Sequence, residues 1–324
     1  MELIRGLHNL RDTHRDCVAT IGNFDGVHLG HRQVLGQLQR KAAELQLPSV
    51  VIIFEPQPQE FFCGDKALPR VTRFGEKVRL LEQQGVDRIV CLTFNERLRT
   101  MTAEAFIQQL LLNGLAIKHL VVGDDFRFGC DRAGDYKMLC ESGVKHGFSV
   151  ENTVTFDVDG ERVSSTRIRK VLTENQLALS SRLLGRNYRV TGRVMHGQAL
   201  GRQLGVPTAN VRMHRFPCPL RGVYAVNAHL NGGQVLQGVC NVGMRPTVNG
   251  TKPVLEAHLF DFSGDLYGQL LSVEFKHFIR GEQKFAGLDE LKAQIFADID
   301  AARAFLPAVI KTELTNISFK AVKL

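Results

Sequence analysis

The chain has no tryptophan and only four tyrosines, so it offers few of the large rings on which nucleic-acid bases stack. Its basic residues form no stripe either. After Gly185 they stand singly, at Arg189, Arg193, Arg202, Arg212 and Arg215, which makes nucleic acid a weak candidate partner. The longest apolar runs, such as Val50–Phe54 between Ser49 and Glu55, fall far short of the ~20 residues that span a bilayer, and a transmembrane helix is excluded. The opening Met1-Glu2-Leu3-Ile4-Arg5-Gly6 lacks an apolar core behind a basic start, which argues against a secretory signal. Seven cysteines, at positions 17, 63, 91, 130, 140, 218 and 240, contain no C-x-x-C, and a chain this long needs no staples, so the thiols are expected to be free and mostly buried. These absences place the chain in the cytoplasm, with neither a membrane nor an obligate protein partner implied.

What is present is ordinary globular composition: 324 residues, 44% hydrophobic and 23% charged, enough for about two domains at roughly 150 residues each. The charge is uneven. Residues 1–185 carry 24 basic against 23 acidic side chains, and residues 186–324 carry 17 against 10, so nearly all of the net +8 lies in the second half. That excess suits an anionic ligand such as nucleotide phosphates. Hydrophobic periodicity changes at the same place. The first half alternates strand-like runs (Cys17–Ile21, Val50–Phe54, Arg88–Phe94, His119–Gly123) with helical patterns around 31–46, 74–84 and 102–113, which predicts βαβ units and a parallel sheet with its ligand at the carboxyl ends of the strands. In the last helix Thr102 is the expected N-cap and Gly114 the stop. Beyond Gly185 come strands without helices between them. Leu271–Ile279 alternates, and Gly222–Leu230 does so in part before a turn at Asn231-Gly232. This predicts a small antiparallel β-barrel, closed by one helix with Leu288, Leu291, Ile295 and Ile299 on a face. The domains are therefore drawn as 1–185 and 186–324. A tail from Pro307 carries Ile310, Leu314, Ile317 and Val322, with no role assigned beyond packing.

Two constellations carry chemistry. In the first, a strand runs into Gly22-Asn23-Phe24-Asp25-Gly26-Val27-His28-Leu29-Gly30-His31, and a helix opens near Gly30. Such a turn aims unpaired N–H groups and a positive helix end at one spot, which favours phosphate. His28 and His31, three apart, can face that spot together and donate to phosphate oxygens as charge builds. Capping or surface histidines remain an equal alternative on the two residues alone; a zinc site lacks further ligands nearby. Ser164-Ser165-Thr166-Arg167-Ile168-Arg169 reads as a second phosphate corner or, as readily, a plain helix cap. Val121–Gly129 ends a strand in Asp125 and Phe126, able to sandwich a ring or simply to join the core. In the second half Gly197–Asn210 is punctuated by glycines but lacks G-x-x-x-x-G-K-[ST], so it is not a P-loop. Thr208 and Asn210, two apart, offer neutral oxygens on one side of an extended segment, which suits Mg²⁺ shared with nucleotide phosphates. Glu256 interrupts an apolar strand and can take a proton from a hydroxyl, or pair with an arginine.

The ordered series of these segments resembles the prokaryotic bifunctional riboflavin kinase / FAD synthetase family over nearly the whole chain. His28-Leu29-Gly30-His31 is similar to the H-x-G-H of nucleotidyltransferases. The resemblance extends through Phe54-Glu55-Pro56-Gln57-Pro58, Gly205-Val206-Pro207-Thr208-Ala209-Asn210, Asn241-Val242-Gly243-Met244-Arg245-Pro246-Thr247 and Asp265-Leu266-Tyr267-Gly268. It implies an α/β Rossmann-like nucleotidyltransferase domain (FMN adenylyltransferase) followed by a riboflavin kinase β-barrel with a C-terminal helix, using ATP and Mg²⁺ to convert riboflavin to FMN and FMN to FAD. By the family pattern, Asn23, His28 and His31, with Gly22, Phe24 and Gly30 around them, hold ATP phosphates during adenylyl transfer. Ser164, Ser165, Thr166 and Arg169 supply the second corner, and Asp125 and Phe126 add to the site. Gly205, Pro207, Thr208 and Asn210 bind Mg²⁺–ATP in the kinase, Glu256 is the base, and Arg245, Phe278 and Arg280 help close the sites. Gln57 stands where many relatives have His, and it cannot carry charge there. Two rivals remain: a nucleotidyltransferase for another phosphorylated acceptor, which the barrel motifs argue against, and a flavin-binding regulator without turnover, which would need neither base nor metal pair.

Overall fold

Alternate residues of the central strands of the first half point to opposite faces, and both faces are apolar. The computed structural model describes residues 1–197, 200–213, 218–247 and 250–307, without the side chains of 200, 203, 245–247 and 250–252. Gln198, Ala199, Arg215 and the tail residues Ile310, Leu314, Ile317 and Val322 lie outside the described residues. The chain divides into two units, Met1–Ser165 and Thr166–Leu324.

In the first unit, strands β1 (Glu2–Arg5), β2 (Val18–Ile21), β3 (Ser49–Glu55), β4 (Arg88–Thr93), β5 (His119–Val122) and β6 (Ser149–Asn152) form one sheet in the order β1-β4-β3-β2-β5-β6, every pairing parallel. Helices α1 (Leu29–Leu45), α2 (Pro58–Cys63), α3 (Phe74–Gln83), α4 (Glu96–Arg99), α5 (Ala103–Phe106) and α6 (Tyr136–His146) connect the strands. Val18, Val51, Ile53 and Ile89 face Leu35 and Leu38 of α1 and Val78 and Leu81 of α3. Ala19, Ile52, Val90 and Leu120 face Phe106, Leu110, Leu111 and Leu139 on the other side. Each fully buried leucine of this kind contributes about 1.5–3 kcal/mol. The chain winds from β2 to β3 and β4 on one side, then crosses to β5 and β6 on the other, so the end of β2 lies where the strand order reverses, the usual place for a ligand crevice. Thr102 caps α5 by accepting from Ala105 N at 3.1 Å. The expected α-helix to 113 instead winds as a π-helix over Ile107–Gly114. Edge strands β1 and β6 were not expected from the sequence: each has exposed ends, so neither shows a continuous apolar run.

A short hairpin, β7 (Asp157–Val158) with β8 (Glu161–Arg162), precedes α7 (Ser165–Thr173) and α8 (Leu177–Leu184). Gly185 ends α8 with φ +67°, the left-handed conformation glycine adopts without strain. In the second unit β9 (Arg189–Met195), β10 (Ala209–Arg212), β11 (Gly222–His229), β12 (Val235–Thr247), β13 (Gly250–Leu259) and β14 (Leu270–Arg280) close an antiparallel barrel in the order β10-β13-β12-β11-β14-β9. Closure brings backbones close: a Cβ on Gly192 of β9 would lie 2.2 Å from the Arg212 carbonyl oxygen. A four-residue helix α9 (Leu200–Gln203) lies between β9 and β10, and α10 (Leu288–Phe305) packs Ile299 and Ala302, with Ile295, against Val223, Ala225 and Val239. Leu288, expected on that face, is the first residue of α10 and is 59% exposed. All seven cysteines are free, but only Cys17, Cys91 and Cys240 are buried and Cys63 is exposed, so the expectation of mostly buried thiols is corrected.

Candidate active site

At the end of β2 the backbone turns sharply. Phe24 (φ +47°), Gly26 (+88°) and Val27 (+39°) are all in the left-handed region, a conformation that non-glycine residues keep only where their surroundings over-determine it. Asp25 supplies the determination. Its carboxylate accepts from Val71 N at 3.0 Å, Thr72 N at 2.8 Å and Thr72 Oγ1 at 3.0 Å, and Gly26 N donates to Thr72 Oγ1 at 2.8 Å. Its carbonyl oxygen accepts from Ser165 Oγ at 2.8 Å.

The turn delivers the histidines. His28 is buried and caps α1, its Nδ1 accepting from His31 N at 3.2 Å. An Nδ1 that accepts carries no proton, so in the neutral ring the proton sits on Nε2, which is a donor. The His28 and His31 rings stack with centroids 3.6 Å apart and 18° between planes, and Phe24 backs His31 at 4.9 Å. Gly30 permits this: a Cβ there would lie 3.2 Å from the His28 ring and 3.2 Å from the Val163 carbonyl oxygen. His28 is thus both a cap and a ring beside the helix end, so the two readings of it coincide. Gly22 and exposed Asn23 lead into the turn, Ser164 and Ser165 lie partly buried at the start of α7, and Thr166 and Arg169 follow on that helix. Asp125 pairs instead with Arg162 at 3.1 Å, and Phe126, partly buried, stacks on Phe128 at the edge of the core.

In the barrel, register does the assembling. Asn210 pairs with Glu256 across β10 and β13, and Asn241 of β12 pairs with Glu256 on its other side, so three polar side chains share one face of adjacent strands. A cavity of about 220 Å³ is lined by Thr208, Asn241, Glu256, His258, Arg280 and Glu282 among others. Glu256 has no ion-pair partner among the described residues, so the arginine pairing is not seen there. Gly205 (φ +82°) and Pro207 flank Thr208 outside that lining, and the Pro207 carbonyl accepts from the His258 ring at 2.8 Å. Arg280 is held by Asp298 through two bonds of 2.8 and 2.7 Å. Phe278 packs on Tyr224 at 5.5 Å rather than lining the cavity. Arg245 lies in β12, and its side chain is outside those described. Thr208 and Asn210 are neutral oxygen donors, and among the described residues no cluster of three or more His, Cys, Asp or Glu stands ready for a metal; a cation here fits only with ligand oxygens completing its shell.

Sequence reasoning missed Asp25, Thr72 and Lys77. Lys77 follows Phe74 and precedes Val78 and Leu81 on the core-facing side of α3, and it is fully buried. A lysine at an apolar position of an amphipathic helix is the signal that was there to read.

Each unit therefore carries a polar cluster on a rigid frame, the stacked histidines at the start of α1 in one and the Asn210–Glu256–Asn241 face beside the cavity in the other, an arrangement that fits the class of nucleotide-dependent transferases. The family model for FAD synthetase matches residues 10–167 and that for riboflavin kinase residues 184–306. A bifunctional riboflavin kinase/FMN adenylyltransferase of Pseudomonas fluorescens is 53% identical over 94% of this chain and 97% of its own length. One of Escherichia coli (strain K12) is 49% identical over 94% and 98%. A solved structure described as a macrolide-efflux protein from Streptococcus pneumoniae is 28% identical, covers 94% of this chain and all of its own, and gives a TM-score of 0.80. No helix among the described residues is long and apolar enough to cross a membrane. The chain belongs to the bifunctional riboflavin kinase/FMN adenylyltransferase family.

Proposed function

We propose that this chain makes FAD in two ATP-dependent steps, phosphorylating riboflavin to FMN in residues 186–324 and transferring an adenylyl group to FMN in residues 1–185. The observation that carries the reading is the β10–β13–β12 register, which sets Glu256 between Asn210 and Asn241 beside a cavity in a barrel that follows the stacked His28–His31 pair at a helix N-terminus.

In the kinase, Glu256 accepts the proton of the ribityl 5′-hydroxyl as its oxygen bonds to the γ-phosphorus of ATP and the bond to ADP breaks. Thr208 and Asn210 are the residues that would hold Mg²⁺, which would supply neutralisation of charge on the phosphate oxygens. Arg280, braced by Asp298, closes the cavity wall, and we assign Arg245 and Phe278 to closing the flavin and nucleotide sites, with Gly205 and Pro207 shaping the nucleotide segment. In the adenylyltransferase, an oxygen of the FMN phosphate attacks the α-phosphorus and pyrophosphate leaves. The nucleophile is already ionised, so the site needs donors rather than a base: His28 Nε2–H, His31, Asn23 and the N–H groups of α1 hold the leaving phosphates, with Ser164, Ser165, Thr166 and Arg169 as a second set. Gly22, Phe24 and Gly30 shape the turn, and Asp125 and Phe126 border the acceptor side. The free thiols support a cytoplasmic enzyme, and neither reaction calls for a protein partner.

The test is to incubate the purified chain with riboflavin, ATP and Mg²⁺, to separate the flavins over time, and to repeat from FMN. FMN that appears and gives way to FAD is expected. Riboflavin left untouched while FMN becomes FAD would refute the kinase assignment, and no conversion from either start would return the chain to the wider nucleotidyltransferase reading.

A further inference from the structure

The antiparallel register of β10 with β13 runs Val211↔Leu255, Asn210↔Glu256, Ala209↔Ala257, and β10 begins at Ala209. Continued by one residue, that register sets Thr208 opposite His258, just past the end of the strand. The two neutral oxygen donors assigned above to a cation are therefore held unequally: Asn210 sits inside the ladder and Thr208 outside it. Thr208 follows Pro207, which has no N–H to give, so the carbonyl is the one backbone handle the proline offers. His258 takes it. Its Nδ1 lies 2.8 Å from the Pro207 oxygen, and an oxygen that can only accept fixes a proton on Nδ1. On the other side of the proline, Val206 is buried and its N–H donates to the Gly201 oxygen at 2.7 Å. The segment is thus tied before the proline by Val206, at the proline by His258 and after it by the β10 ladder. The His258 ring also belongs to the cavity, which it lines together with Thr208 and Glu256. Glu256, two residues earlier on β13, projects from the same face of that strand. The bond to Pro207 therefore refers the place of Thr208 to the strand that carries Glu256.

We propose that His258 is a positioning residue for riboflavin phosphorylation, its Nδ1–H holding the Pro207 carbonyl and so keeping Thr208 in line with Asn210, where the two residues can hold Mg²⁺ shared with the nucleotide phosphates. This rests on the kinase reading above and adds to it a residue that acts through Thr208 rather than on the reacting atoms. Pro207 is exposed and lies outside the strand, so losing the bond leaves the barrel closed and frees only the segment that carries Thr208. The loss falls on the nucleotide and not on riboflavin.

Two amides separate this bond from the bulk of the ring. Asparagine places its N–H₂ near the position of Nδ1, and the longer glutamine places it near that of Nε2. The full-length parent, His258→Asn and His258→Gln are compared in riboflavin phosphorylation, counting FMN and FAD together, with Mg²⁺–ATP and riboflavin varied in turn. His258→Gln is expected to raise the KM for Mg²⁺–ATP at least ~5-fold, the worth of one neutral hydrogen bond, with the KM for riboflavin unchanged. His258→Asn is expected to stay near the parent in both. A second readout uses neither metal nor nucleotide: amide exchange of residues 206–210 in the ligand-free chain is expected to be faster in His258→Gln and restored in His258→Asn. A parent KM for Mg²⁺–ATP in His258→Gln, a KM for riboflavin that rises as much, equal losses in the two variants, or exchange that does not change overturns the proposal. If His258→Gln does not fold, His258→Phe, which keeps a ring and has no donor, is measured in its place against the same outcomes. A parent chain that phosphorylates no riboflavin would instead sink the kinase reading, and this inference with it.

Discussion

Glu256 and His28 differ in how they reach their surroundings, and that difference sets what each substitution does. Glu256 is half-buried beside Asn210 and Asn241 with no ion pair among the described residues, so Glu256→Gln keeps the shape and removes the proton acceptor. Riboflavin phosphorylation is expected to drop ~100-fold or more, with adenylylation of supplied FMN at the parent rate; flavin chromatography from both starting points reads this, and a matching fall in both steps with the fold intact would break the division of labour. His28 both caps α1 and stacks on His31, so His28→Ala with His31→Ala costs a cap of about 1 kcal/mol as well as the phosphate donors. FMN is then expected to accumulate from riboflavin, with FAD formation down ~100-fold or more, and FAD produced at the parent rate would exclude a role for the pair. These residues were legible because their types are rare in their settings: two histidines in a glycine-rich turn, one glutamate in an apolar strand. Asp25 and Thr72 were not, because their meaning lies in contacts some 46 residues apart in sequence, which no local pattern records.

At the scale of elements, one carboxylate braces the barrel at the end of its β14–β9 seam. Glu274, 5% exposed, meets Arg189, Asn187 at 2.9 Å, His229 at 3.2 Å and Lys276 at 3.2 Å. Burial alone would raise its pKa, but hydrogen bonds from His229 and Arg189, the charge of Arg189 and the bond from Asn187 hold it far below the usual 4.5. A carboxyl depressed in the folded state contributes its full stability above the unfolded value and loses it as pH falls from there toward the folded one. Glu274→Gln is therefore expected to destabilise the second unit by about 3 kcal/mol near neutral pH and by progressively less as the pH drops below about 4.5. Thermal melts of parent and variant at the two pH values check this, and an equal gap at both would show that the carboxyl's charge is not what holds the seam. The elements themselves were partly legible. Strands with both faces buried, β2 to β5, stood out as apolar runs; β1 and β6 did not, since an edge strand needs only part of its length covered. The π-helix at Ile107–Gly114 escaped for another reason: its apolar residues Ile107, Leu110 and Leu111 satisfy the spacing of an ordinary helix, and no local pattern marks the wider winding.

For the whole molecule, two sites in one chain raise the question of whether the intermediate must leave. Each unit has its own sheet or barrel and its own core, and the division of labour proposed above asks only that FMN made at Glu256 arrive at His28 and His31. If FMN is released to solution between steps, a chain carrying Glu256→Gln mixed with one carrying His28→Ala and His31→Ala will make FAD from riboflavin, although neither does so alone. The expected course is a lag while free FMN builds, then FAD at a rate that rises with the concentration of the first chain. The two variants are opposite halves of one sequence, so the mixture holds one intact copy of each site, and stability plays no part in the outcome provided each variant keeps its remaining activity. A mixture that accumulates FMN without FAD, while the Glu256→Gln chain still adenylylates FMN added at the same concentration, would mean that FMN passes only within a chain, and the two sites would then have to be treated as one.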